Sequence, residues 1–197
     1  MRYFAVLLIA LAAVSWWNQH RTNGHERLLG TIASEIAERP VAVNCQGLPS
    51  ALVDISPRAG EVMFNEDGTP PDATTLKRDT CRHLTRFADA RSSRSFECVR
   101  RAQPCELSTG KVVSAVRVLA HEAWHLRGVT NEAETECYAL QTTALVARRL
   151  GATPEEAQAV ASWNTQHVYP HLPSDYQSSE CRDGGDFDLR RDTTAWP

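Results

Sequence analysis

Lysine is nearly absent from this 197-residue chain: of its 21 basic residues only Lys77 and Lys111 are lysines. The 24 acidic residues leave a net charge of −3, and no basic stripe runs along any segment. A nucleic-acid-binding role is therefore not expected. CxxC pairs are missing as well, which argues against a cysteine zinc knuckle. No internal repeat is visible.

The remaining composition is that of an ordinary globular protein, 42% apolar and 23% charged, and the length suits one domain with a real core. The N-terminus "MRYFAVLLIALAAVSWW" reads as a targeting segment. Arg2 supplies the positive start, and Tyr3 to Val14 is an apolar run of signal-peptide length. It falls short of the ~20 residues of a membrane-spanning helix. Ala13-Val14-Ser15 fits a cleavage site, whereas Trp16 and Trp17 suit a membrane interface. Residues 1–17 are thus a signal peptide or a membrane anchor, 18–25 a linker, and 26–197 a single domain with an irregular C-terminal tail. The expected location is extracytoplasmic, secreted or anchored.

Six cysteines follow: Cys45, Cys81, Cys98, Cys105, Cys137 and Cys181. An even count behind an export signal reads as three disulfides, with fifteen possible pairings. If Cys98 and Cys105 close the local loop around "VRRAQP", Cys45 with Cys81 and Cys137 with Cys181 would pin a strand to a helix and the tail to the active-site region.

Punctuation along the chain predicts a mainly α, α+β fold. A helical period in "ERLLGTIASEIAERP" stops before Pro40. Short β-rich runs, "VAVNC", "ALVDI" and "GEVMF", predict a small sheet between 41 and 66, closed by breakers at Asp67-Gly68 and Pro70-Pro71. A helix is expected from Ala73 to about Ala90, then a polar loop through "DARSSRSFECVRRAQPCELSTG". Three helices follow: about Thr109 to Arg127, ended by Gly128; Thr130 or Asn131 to Leu150; and a third opened by the cap Thr153, Pro154 and Glu156, reaching about Val168.

The chemistry concentrates in "HEAWHLRGVTNEAETEC", residues 121–137. On a helix, His121 and His125 lie about 40° apart and one turn removed, so both imidazoles can reach one ion. Glu122 sits about 100° from His121, beside such an ion, where it can take a proton from a water. Val112, Val116, Leu119, Ala123 and Leu126 form the opposite, core-facing stripe. A third ligand is needed. On the following helix Glu132 and Glu136 share a face with Ala139, Thr143, Val146 and Leu150. Glu134 points to the other side with Gln141 and Arg148, toward solvent. Glu132 and Glu136 are therefore the useful pair, one as ligand and one accepting from a histidine N–H.

Here the chain resembles the glutamate-zincin metallopeptidases, which follow HExxH with a second helix bearing a glutamate ligand and often an acidic residue four positions later. "NEAETECYA" is similar to that second motif. The segment also resembles small exported actinobacterial proteins of unknown activity. The resemblance covers about twenty residues. It implies a zincin-like helix pair holding Zn2+ through His121, His125 and Glu132, with Glu136 orienting and Glu122 as general base. It also implies a peptide or protein substrate. Families with HExxHxxGxxH place a third histidine where this chain has Asn131. The connection between the motifs is very short, which keeps Glu136 as the alternative ligand, and Glu136 stands where aspartate is common. A rival reading is a non-catalytic cell-surface module on the same helices, and a cell-wall amidase would share the metal chemistry.

Tyr138, His167, Tyr169, His171 and Tyr176 are candidate oxyanion donors. Pro170 keeps His167 and His171 off one regular helix. Trp163 and Trp196 read as packing residues. His20, His25 and His83 lack a partner at ligand spacing and are expected at the surface.

Overall fold

A computed structural model describes residues 24–47, 60–192 and 196–197. The N-terminal segment 1–17, most of the linker and the "ALVDI" run lie outside the described residues. Helix α1 covers residues 24–37, so the last two residues of the predicted linker are helical. It seats Leu29, Ile32, Ala33 and Ile36 in the core. Three short strands form one sheet in the order β1-β3-β2. β1 is Ala42–Cys45, β2 is Gly60–Glu61 and β3 is Ala73–Leu76.

β1 and β3 are parallel, with Val43 opposite Thr74. β2 pairs antiparallel on the other side of β3, with Gly60 opposite Leu76. The sheet therefore differs from the one expected between 41 and 66. Its central strand, Ala73–Leu76, comes from the segment read as the start of a helix. The β-branched Thr74 and Thr75 suit a pleated surface, and Thr74 and Leu76 alternate inward with Thr75 outward. Helix α2 then runs Arg78–Arg91.

The segment expected as a polar loop has structure. A 3-10 turn, Arg94–Phe96, leads into a four-residue helix, α3, Glu97–Arg100. Phe96 and Val99 are fully buried, and Phe96 meets Phe87 edge-on with ring centroids 6.1 Å apart. Two apolar side chains among many polar ones are enough to dock this connection.

Helix α4, Leu107–Arg127, is the centre of the molecule and ends at Gly128 in the left-handed conformation, φ 112°. Glycine adopts that backbone without a Cβ penalty. Helix α5, Glu132–Arg149, starts four residues later, with the Asn131 side chain accepting from Glu134 N–H. Helix α6, Pro154–His167, opens with the full Thr153–Glu156 capping box. Turns at Tyr169–His171 and Ser174–Tyr176 lead into the tail. Among the described residues no helix is long and apolar enough to cross a membrane.

Three disulfides join Cys45 to Cys81, Cys98 to Cys105 and Cys137 to Cys181. They tie β1 to α2, close the local loop, and fasten the tail to α5. Such bonds suit an oxidising compartment. The tail also overturns one expectation. Gln141, placed in solvent by its helical angle, is buried: its amide donates to Phe187 O at 2.7 Å and its oxygen accepts from Leu189 N–H at 2.8 Å.

Candidate metal centre

Helix α4 is buried nearly all round, and its polar stripe is buried too: His121 and His125 are 7% exposed and Glu122 5%. Buried polar groups need partners, and each imidazole nitrogen has one. Nδ1–H of His125 donates to Val129 O at 2.7 Å. Nδ1–H of His121 donates to Glu136 Oε2 at 3.1 Å. Both acceptors can only accept, so the Nδ1 atoms carry the protons and both Nε2 atoms turn to a common point.

The turn at Gly128 reverses the chain and brings the first residue of α5 to that point. Nε2 of His121 lies 2.9 Å from Nε2 of His125. Glu132 Oε2 lies 3.1 Å from His121 Nε2 and 3.3 Å from His125 Nε2. A divalent ion bonded at about 2.1 Å in tetrahedral geometry spaces its donors about 3.4 Å apart. The triangle fits, so His121, His125 and Glu132 form a group that can hold a metal ion. Of the two glutamates left open, Glu132 is the one that brings a carboxylate oxygen to both Nε2 atoms. Glu136 contacts the far nitrogen of His121 and acts as its acceptor.

Glu136 is completely buried, and an unpaired carboxylate there would be costly. Arg117, also buried, donates to Glu136 Oε2 from the turn of α4 before His121. Burial alone would raise the Glu136 pKa; the charges of Arg117 and His121 outweigh it and hold it below the usual range. For His121, burial favours the neutral ring, yet hydrogen bonds donated to Glu132 and Glu136 raise its pKa to about 9. Burial, then the neighbouring His121, lowers that of His125. The hydrogen bond from His121 is the main cause lowering that of Glu132.

Glu122 leaves α4 toward the sheet. Thr74 Oγ1 of β3 donates to its Oε2 at 3.4 Å. On the other side stands Gly60 of β2, where an added Cβ would fall 2.6 Å from Glu122 Oε1. The carboxylate is therefore gripped between two strands. Arg117, Thr74 and Gly60 were not singled out in the sequence. A lone arginine one turn before His121 in "SAVRVLAHEAWH" was a readable signal for the first; the other two depend on the sheet.

His121, Glu122, Glu132 and Glu136 line a cavity of about 420 Å3. Its outer wall is the tail, through Leu172, Pro173, Asp175 and Tyr176. The Tyr176 ring stacks on His121 with centroids 5.7 Å apart. Of the five oxyanion candidates, only Tyr176 reaches this cavity. Tyr138 packs on Trp124 and donates to Glu134. Tyr169 donates to Ser178 O. His167 contacts Ala102 O, and His171 faces a second cavity that also includes His83. His25 and His83 are half-buried, not at the open surface as expected, and His20 lies outside the described residues. Trp163 is a packing residue, as its apolar bulk suggests.

No protein-family model, curated protein or solved structure matches the chain.

Proposed function

We propose that the protein is an exported zinc-dependent metallopeptidase with a zincin-like helix pair. The observation that carries the reading is the convergence of His121 Nε2, His125 Nε2 and Glu132 Oε2, with both Nδ1 atoms already committed to acceptors. Two imidazoles and one carboxylate are a donor set suited to zinc in a hydrolytic site. Zinc held by three protein ligands would polarise a scissile carbonyl and acidify a water at its fourth position. Glu122, buried beside the donors and fixed by Thr74, takes the proton of the attacking water. It passes that proton to the amine nitrogen as the C–N bond breaks. Tyr176, stacked on His121, is the donor best placed for the developing oxyanion. Arg117 and Glu136 hold the His121 ring.

The test combines metal content with turnover. The zinc-loaded parent should cut a mixed peptide library, and Glu122→Gln should keep one zinc while losing turnover by roughly 10²-fold or more. Glu132→Ala should lose the zinc. Zinc retained in Glu132→Ala refutes the ligand assignment. Zinc without hydrolysis in both parent and Glu122→Gln leaves the non-catalytic module instead.

A further inference from the structure

The second cavity, about 610 Å3, shares Val118 of α4 with the metal cavity. Its floor is the same helical face, one to three turns nearer the start of α4: Lys111, Ser114, Ala115 and Val118. These positions continue at helical spacing into His121 and Glu122. The outer walls also match in order. Tyr176 and Asp175 stand at the metal end, Leu172 and His171 in the middle, and His167 and Trp163 at the far end. Opposite them, Gly60 of β2 gives way to Asp79 and His83 of α2. The two cavities, meeting at Val118, thus lie along one face of α4 from His121 back to Lys111. Ten residues at 1.5 Å each make that stretch about 15 Å long, the span of four or five residues of extended peptide at about 3.3 Å each.

The two ends differ in charge. The metal end holds Glu122, Glu132, Glu136 and Asp175 against Arg117. The far end holds Lys111, which is exposed, with Arg82 and Arg86 acting on His83 beside it. The carboxylate there, Asp79, is already paired with Arg82 at 3.0 Å. His83 also lines this end, and Trp163 gives its wall an apolar surface. An anionic side chain with an apolar stem fits this end; a cationic one does not.

We infer that the two cavities form one groove, which binds an extended peptide with an acidic side chain seated against Lys111 and His83, about 15 Å from the donors of the metal centre. Lys111 and His83 are specificity-determining residues, and the substrate class is an acidic peptide. This rests on the peptidase reading of the metal end, but its test does not require cleavage.

The probe is a set of fluorescein-labelled heptapeptides of alanine and glycine, with one Glu, Gln or Lys scanned through the positions. Binding is read by anisotropy on the full-chain, zinc-loaded Glu122→Gln protein, with and without Lys111→Glu, and with His83→Ala. Lys111 is exposed, so its replacement leaves the fold in place. At one offset Glu should bind about fivefold tighter than Lys, the upper range for a partly exposed pair, and Lys111→Glu should reverse the order. His83→Ala should weaken the Glu peptide alone. Equal binding of Glu and Lys peptides at every offset, or a preference unchanged by Lys111→Glu, overturns the inference. Turnover of the same peptides by the parent reports separately on the peptidase. Selective binding without cleavage keeps the groove and removes the enzyme, and cleavage without selectivity does the reverse.

Discussion

His121 serves two masters on one ring. Its Nε2 faces the metal position and its Nδ1 faces Glu136. With no ion between them, the two carboxylates keep the ring protonated, its pKa raised to about 9. His125 has a lowered pKa and Glu132 is readily ionised. At about pH 7.5 the metal-free site therefore holds one proton that zinc must displace, and binding should release about one proton. Calorimetric titration with zinc in buffers of differing ionisation enthalpy measures this; a release of zero would mean that His121 is neutral beforehand. At this scale the sequence was informative where spacing along one helix decides the geometry, as for His121, Glu122 and His125. Between Glu132 and Glu136 helical angle was no guide, because both share a face and only the reach of the hairpin separates them. Thr74, 48 residues from Glu122, had no local signal at all.

Among the elements, the α4–α5 hairpin was legible because its stops are local chemistry: Gly128, Asn131, and the Thr153 box that begins the next helix. β3 was not. Its four residues continue the apolar spacing of the helix behind them, and parallel pairing with β1, a distant segment, decides their state. The antiparallel pairing of β2 with β3 in turn presents Gly60 to Glu122. Gly60→Ala should force the Glu122 carboxylate aside, since the new Cβ would lie within 2.9 Å of three of its side-chain atoms. Zinc content should stay at the parent level while kcat falls by up to about 10²-fold. Parent-like turnover would show that the narrow gap has no role in placing the base.

For the molecule as a whole, three covalent ties supplement a helical core and a small sheet. The Cys137–Cys181 link closes 44 residues, worth about 4 kcal/mol of chain entropy in the unfolded state. Replacing both cysteines by alanine should lower stability by about 2–4 kcal/mol in chemical denaturation. It should leave zinc bound, because the donors come from α4 and α5, while slackening the wall that carries Tyr176 and so reducing turnover. Loss of zinc in that variant would show that the tail holds the ligands as well. Covalent partners were only one of fifteen options from sequence, since cysteine pairing is set by packing that no local pattern encodes.

Synthesis proceeds from the first residue to the last, and the cleft is distributed along the chain in that direction. The three donors are all made by residue 132, whereas Tyr176 and Cys181 come some forty residues later. A growing polypeptide thus contains the three candidate donors before it contains the flank that walls the cavity beside them. Oxidation can join Cys181 to Cys137 only after that flank is made, so the covalent tie beside the cavity's outer wall follows the donors in time.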